Sequence, residues 1–392
     1  MESIKLAHLF PTFRNLGGVE SILRHHHAKD AGQGLDGQFV IYSEHPQDAM
    51  DRVHFLGLGP TSSIADLRRA VGTVLRKFQP EVVLYHGTWG MHYLAGVDQA
   101  RRRLLILHSE TPGLEAELTA RAGWLDGVLG VSPPLAALAR RCLPQLGENR
   151  IGLVPYPIAP PPNRSSPSPA GRPLVLGFCS RLVVEQKRVD RLPKLCRLLD
   201  ARRVEYRLEF LGAGPEQAWL EAQFPDRSKF VFHGRKQGDA YWEVLRTWDA
   251  IVFVSDYEGT PIALLEAASM GVVPVFPKIG SGGDQYAAEI CPTLLYPAGD
   301  LAAAAGAIEA LAQLPVPRRE DLRGRARAGS APHCGNAYLS KVASFIRLLA
   351  AAERISHSNP VRRMFPIDRL SFKTLERLAQ ARRQLTSVMG KR

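Results

Sequence analysis

The sequence predicts an α/β protein built from two Rossmann-like domains of similar size. Three observations carry this. Short apolar runs alternate with amphipathic stretches over most of the 392 residues, the rhythm of strands and crossover helices around parallel sheets. A segment dense in Pro and Ser, IAPPPNRSSPSPAGRP at 158–173, interrupts that rhythm near the middle. The length exceeds what one core usually organises and suits two. The expected division is a first domain at 1–157, a linker at 158–173, a second domain at 174–356 and a basic tail at 357–392.

In the first half, IKLAHLF, QFVIYS, EVVLYHG, RLLILHS and GVLGVS read as strands, with GVESILRHHHAKDAG and SIADLRRAVGTVLRKF as helices between them. A second series follows the linker: LVLGFCS, RLEFLGAG, FVFHGR, AIVFVSD, VVPVFP and TLLY. The helix DLAAAAGAIEALAQL comes next, then AYLSKVASFIRLLAAAERIS, a Pro-containing break and one more helix. Phe372, Leu375, Leu378, Leu385 and Met389 share one face of that last helix.

Hydrophobic content of 45% and charged content of 22% are ordinary for a globular protein. No apolar run reaches the length of a membrane span, and the N-terminus lacks the pattern of a signal peptide. The five scattered cysteines have no metal-ligand spacing and read as reduced thiols, so a cytoplasmic location is expected. Of the net charge of +12, a surplus of seven lies in residues 355–392. A nucleic-acid binder spreads its basic residues over a face with aromatics between them, so no nucleic-acid partner is expected. A basic tail suits an anionic membrane surface or a domain-packed helix.

The chemistry-bearing residues lie at strand ends. AIVFVSD is followed by a loop carrying Glu258, Gly259 and Thr260, and Pro261 suits the start of a helix. Glu266 lies inside that apolar helix, about 7.5 Å further along its axis, where an unpaired carboxylate is expensive to bury. The two acids can therefore address different parts of one elongated ligand, with the helix N-terminus between them attractive to an anion. In GFCSRLVVEQKRVDRL, a strand ends at Ser180 and Arg181 begins the loop. Lys187 stands six residues on, so two cations are placed to neutralise phosphate charge. The consecutive His25, His26 and His27 point around a helix and read as surface or packing residues.

Together these segments resemble glycosyltransferase family 4, the retaining enzymes of GT-B fold that use nucleotide-activated sugars. EGTPIALLEAASMGVVPV matches the signature of two glutamates separated by seven residues, and SRLVVEQK matches the phosphate loop. GGVE, LLILHSE, RLEFLGAGP, FVFHGR and LLYPAGDLAAAAGAIEAL fall in the family's order. The resemblance spans about residues 4–349 and is densest over 174–300.

It implies two Rossmann-like domains facing each other across a cleft and the transfer of a sugar from a nucleotide diphosphate sugar, UDP- or GDP-linked, to a hydroxyl acceptor. Glu258 would contact the donor sugar and Glu266 the ribose. Arg181 and Lys187 would hold the diphosphate, His108 would approach the sugar from the first domain, and Gly17 and Gly18 would let backbone near phosphate or acceptor. For the glycines a tight turn, and for His108 a buried, satisfied imidazole, remain open. No metal and no cofactor is required by this reading. The acceptor would be a glycan, a lipid-linked molecule or another hydroxyl compound, in envelope or polysaccharide synthesis. A nucleotide-sugar epimerase and a nucleotide-sugar sensor or assembly protein without turnover stay as alternatives. Two positions depart from the family pattern: Arg188 stands where Gly often follows the phosphate-loop Lys, and Pro155–Tyr156–Pro157 replaces Pro-Asn-Gly before the linker.

Overall fold

The computed structural model describes residues 3–15, 17–45, 49–97, 102–159, 161–162, 172–335, 337–353, 355, 365–375 and 377–378. The first sheet has seven strands: β1 Ile4–Phe10, β2 Leu35–Ile41, β3 Val53–Phe55, β4 Val82–His86, β5 Arg102–Leu107, β6 Gly127–Gly130 and β7 Ile151–Leu153. They lie in the order β3-β2-β1-β4-β5-β6-β7, and every pairing is parallel. The second sheet has six: β8 Leu174–Cys179, β9 Tyr206–Leu211, β10 Phe230–Gly234, β11 Ala250–Val252, β12 Val273–Lys278 and β13 Leu295–Pro297. Their order is β10-β9-β8-β11-β12-β13, again all parallel. Strands 1, 4 and 5 of the first sheet and β8 and β11 of the second are largely apolar runs because helices cover both faces.

Several helices carry the start signals their sequences announce. Ser63 caps Ile64–Phe78 in a reciprocal bond with Asp66, Ser132 caps Pro133–Cys142, and Ser281 caps Gly282–Ile290 with Asp284. Pro261 stands one residue before the helix Ile262–Ser269, as its N-cap, where its φ of −60° already matches the helix.

Helix Ala337–Ala351, which the sequence groups with the second domain, packs against the first. Gly127 of β6 and Gly152 of β7 leave room for the Phe345 ring, since a Cβ at either would lie 3.1–3.2 Å from it. Tyr338, Leu339, Val342 and Ile346 of the same helix are buried. The chain therefore crosses between the domains twice, and the crossings lie side by side. The Ile158 N–H donates to the His333 carbonyl at 3.0 Å, and the His333 Nδ1 bonds the Tyr156 carbonyl at 2.8 Å. Of the tail, the Phe372 and Lys373 amides donate to the Ser62 and Pro60 carbonyls, which fastens residues 371–373 to the first domain. Leu385 and Met389 lie outside the described residues. All five cysteines are free thiols, and among the described residues no helix is long and apolar enough to cross a membrane.

Candidate functional site

In each sheet the strand order reverses once, between β1 and β4 and between β8 and β11. Loops leaving the carboxyl ends of such neighbouring strands diverge and open a crevice, the usual ligand position of doubly wound sheets. The structure brings the two crevices face to face. The Glu110 amide, beyond β5, donates to the Glu258 carbonyl, beyond β11, at 3.1 Å. A Cβ on Gly18, after β1, would lie 3.7 Å from the Ile262 side chain.

Arg181 leaves β8 into solvent, exposed, its guanidinium without a hydrogen bond or ion pair among the described residues. Its loop is shaped by Gly-Ala-Gly beyond β9. A Cβ on Gly212 would lie 2.0 Å from the Ser180 carbonyl oxygen and one on Gly214 would lie 2.3 Å from that of Leu182, so only glycine permits this approach. The loop is then sealed by Leu182 N–H donating to the Ala213 carbonyl at 3.1 Å.

Lys187 and Glu258 meet directly. Lys187 Nζ donates to both carboxylate oxygens, at 2.7 and 2.8 Å, and Gln186 Nε2 donates to the Tyr257 carbonyl at 3.1 Å. Glu258 is only 4% exposed, so this ion pair satisfies a charge that burial alone would make costly. The adjacent Arg188 has φ +49°, a left-handed backbone that explains why glycine suits this position. Its guanidinium grips Asp190 through Nε and Nη2 and Asp256 through Nη1, all at 2.8–3.0 Å. The loop keeps a glycine-like turn through side-chain ion pairs.

Glu266 has a partner that the sequence did not reveal: the Tyr241 hydroxyl donates to Glu266 Oε2 at 2.5 Å. Burial nevertheless pushes the Glu266 carboxyl up to about 7 despite that bond. Tyr241 belongs to the helix Asp239–Leu245, and its only sequence signal is an aromatic pair, Tyr241–Trp242, on a short helix.

On the first domain, Gly17 and Gly18 begin the helix Gly18–Lys29, and Gly17 has an extended φ of −152°. Neither carries a positive φ, so no tight-turn conformation demands glycine here. Gly259 abuts the first domain's backbone: a Cβ there would lie 2.2 Å from the His108 carbonyl oxygen. Thr260 is buried, with its hydroxyl against Gly282, which in turn packs on Ser132.

Glu110, two residues past His108, is a cleft residue that the sequence reading passed over. Its side chain accepts from the Ser132 hydroxyl at 3.1 Å, and burial raises its carboxyl to about 7, with Asp284 and Glu258 adding to the rise.

The imidazole of His108 faces inward. Its Nε2 bonds His86 Nδ1 at 3.2 Å and its Nδ1 bonds the Tyr156 hydroxyl. Both ring nitrogens are thereby engaged within the first domain, as in the satisfied-imidazole alternative, and residue 108 meets the second domain through its carbonyl. His26 is likewise no surface residue. It is fully buried and joins His8 and Asp30 in a group whose nitrogen and oxygen atoms lie within 4.8 Å of one another. These are metal-ligand types, but here both Asp30 oxygens already bond an imidazole, at 2.8 and 2.9 Å. The sequence signal for the row was present: IKLAHLF, EVVLYHG and LLILHS each carry a histidine, within β1 for His8, at the end of β4 for His86 and just past β5 for His108.

Residues 173–313 match the family model described as "Glycosyl transferases group 1". No curated protein matches the sequence. Among solved structures, sucrose-phosphate synthase from Thermosynechococcus elongatus is similar with a TM-score of 0.72 at 16% identity, over 89% of this chain and 100% of that one. The pneumococcal O-GlcNAc transferase GtfA, solved with UDP and GlcNAc, gives 0.70 at 11% identity, over 90% and 100%. TarM gives 0.56 at 15% identity over 73% of this chain, which spans 58% of TarM. The fold is GT-B.

Proposed function

We propose that this chain, whose residues 173–313 match the group 1 glycosyl transferases, moves a sugar from a nucleotide diphosphate sugar to a hydroxyl acceptor with retention at the anomeric carbon. The observation that carries the reading is the charge layout at the β8/β11 crevice. An exposed Arg181, its guanidinium without a partner among the described residues, stands six residues before the Lys187 of a Lys187–Glu258 ion pair, and Glu266 lies on the helix that follows Glu258. Arg181 and Lys187 then receive the diphosphate. Lys187 turns part of its charge from Glu258 to phosphate, which frees the Glu258 carboxylate to accept from donor-sugar hydroxyls. Glu266, with Tyr241 at its back, takes the ribose hydroxyls. Gly259 and Thr260 bring backbone close to the sugar, and Gly17 and Gly18 form the facing wall.

Breaking the glycosidic bond leaves negative charge on the diphosphate, and cations already in place stabilise that charge as it develops. The departing phosphate takes the proton of the attacking hydroxyl on the same face. The chemistry needs no cofactor, and these cations stand where a metal would otherwise serve. The UDP in the pneumococcal transferase structure makes UDP-sugars the first donors to try.

The test is a screen of UDP-, GDP- and ADP-sugars for thermal stabilisation, followed by release of nucleotide diphosphate and NMR of any product. An inverted anomeric centre, or an Arg181→Ala variant with full activity, would overturn it. Binding without release would point instead to the sensor reading.

The acceptor side includes membrane contact. Phe365, Ile367 and Leu378 are 49–55% exposed on the C-terminal segment, which also carries Arg369, Lys373 and Arg377. Apolar and cationic groups together suit an anionic lipid surface, and a lipid-linked or envelope glycan acceptor would fit that location. Replacing the three cations by Glu should abolish co-sedimentation with phosphatidylglycerol vesicles.

A further inference from the structure

A row of polar side chains, buried except for the half-buried His108, runs through the first domain without entering the chemistry above. Asp30 Oδ2 meets His8 Nε2 at 2.9 Å, His8 Nδ1 meets His86 Nε2 at 3.0 Å, and His86 Nδ1 meets His108 Nε2 at 3.2 Å. The Tyr156 hydroxyl closes the row on His108 Nδ1. A second arm leaves the same carboxylate: Asp30 Oδ1 meets His26 Nδ1 at 2.8 Å, and His26 Nε2 meets the Tyr338 hydroxyl at 3.1 Å.

The sheet builds the first arm. His8 pairs with Leu84 and His86 pairs with Ile106, so each successive histidine lies two residues further along the neighbouring strand and on the same face. Their ring planes are nearly parallel, 23° apart for His8 and His86 and 12° apart for His86 and His108.

A neutral imidazole offers one donor and one acceptor, whereas a carboxylate only accepts. Asp30 therefore fixes every proton in both arms. His8 must donate from Nε2, which leaves its Nδ1 to accept from His86 Nε2–H. His86 Nδ1 then accepts from His108 Nε2–H, and His108 Nδ1 accepts from Tyr156 O–H. In the other arm His26 donates from Nδ1 and accepts from Tyr338 O–H. Burial keeps the three strand histidines neutral: His8 falls to about 4, His108 to about 3, and His86 well below its ordinary value.

Both arms end at the interdomain crossings. Tyr156 lies on the outgoing segment beside His333, and Tyr338 opens the helix by which the chain returns. We infer that Asp30 is a positioning residue: by fixing the tautomers of His8, His86, His108 and His26 it orients His108 at the cleft edge and fastens both crossing segments, through Tyr156 and Tyr338, to the first domain's core.

Two-bond ¹H–¹⁵N correlation spectra of the histidine-labelled protein test this. They should show His8, His86 and His108 as neutral Nε2–H tautomers and His26 with a proton on Nδ1. Asp30→Asn offers one acceptor and one donor in place of two acceptors, so one arm should reverse throughout while the other persists. A reversed strand arm would make His8, His86 and His108 all Nδ1–H. Either reversal should lower kcat by up to about 100-fold through misplacement rather than lost contact, with donor KM nearly unchanged.

His86→Leu, which cuts the row without touching Asp30, should leave the His8 tautomer intact and leave His108 as a mixture. Opposite wild-type tautomers would overturn the inference, as would Zn²⁺ displacing the N–H signals of His8 and His26, or an Asp30→Asn protein with unchanged tautomers and rate. The rate readout rests on the transfer reading; the spectra do not. A wild-type protein that transfers no sugar therefore defeats the function while the tautomers still decide the inference.

Discussion

Lys187 Nζ sits 2.7 and 2.8 Å from the two oxygens of Glu258, a carboxylate that is 4% exposed. The guanidinium of Arg181, six residues before Lys187, has no such partner among the described residues. The two cations should therefore part company under mutation. Lys187→Ala strands a buried charge and should cost about 3–5 kcal/mol of stability as well as activity. Arg181→Ala should leave stability within about 0.5 kcal/mol while lowering kcat by about 100- to 1,000-fold. Thermal melts beside nucleotide-release rates separate the two; equal melting losses would refute the contrast.

Glu266 gives a pH dependence of definite sign. Its carboxyl is raised by burial from 4.5 to about 7, so between those values the folded protein holds a proton that the unfolded chain has released. Stability must then fall as pH rises through that window, by about 2–3 kcal/mol from this group. Glu110 adds to the same limb. Glu266→Gln should flatten part of the decline, seen as a smaller drop in urea midpoint between pH 5 and 8. Ribose hydroxyls favour the ionised form, so donor binding near pH 6.5 should release a proton, measurable by calorimetry in buffers of different ionisation enthalpy.

Arg188 balances two effects of similar size. A left-handed φ costs a non-glycine residue about 1–2 kcal/mol, while each partly exposed ion pair returns up to about 1 kcal/mol. Arg188→Gly exchanges one for the other and should shift stability by less than about 1 kcal/mol. Arg188→Ala keeps the strain and loses the pairs with Asp190 and Asp256, so it should be the less stable variant in chemical denaturation.

Gly259 needs no unusual φ, and the obstacle to a side chain there is the His108 carbonyl of the other domain. Gly259→Ala should wedge the cleft open. Solution scattering should show a larger radius of gyration, and kcat should fall at least about tenfold, with nucleotide affinity nearly unchanged because its proposed ligands lie on the second domain.

Much of this was legible in the sequence, and the remainder failed for physical reasons. The long buried strands announce themselves as apolar runs. β3 and β7 did not, because each has three residues and His54 or Gly152 breaks its apolar run. Strand-end position placed Arg181, Lys187, Glu258 and Glu266 on one crevice, yet it could not pair Lys187 with Glu258 across 71 residues or supply Tyr241. The apolar face of Ala337–Ala351 says that the helix is covered, not by which domain. The histidines were visible as one per apolar strand segment, but only their diagonal register makes them one row.

The two side-by-side crossings have a consequence for biosynthesis. The first domain's residues 3–156 emerge from the ribosome early, yet the helix that covers β6 and β7 belongs to residues 337–351. Domains that fold as they are made normally finish in order from the N-terminus. Here the domain begun first is completed last, after the whole second domain has been synthesised. Until then the apolar surface around Gly127 and Gly152 waits uncovered, so a truncated chain ending near residue 335 would carry a finished second domain and an open first one.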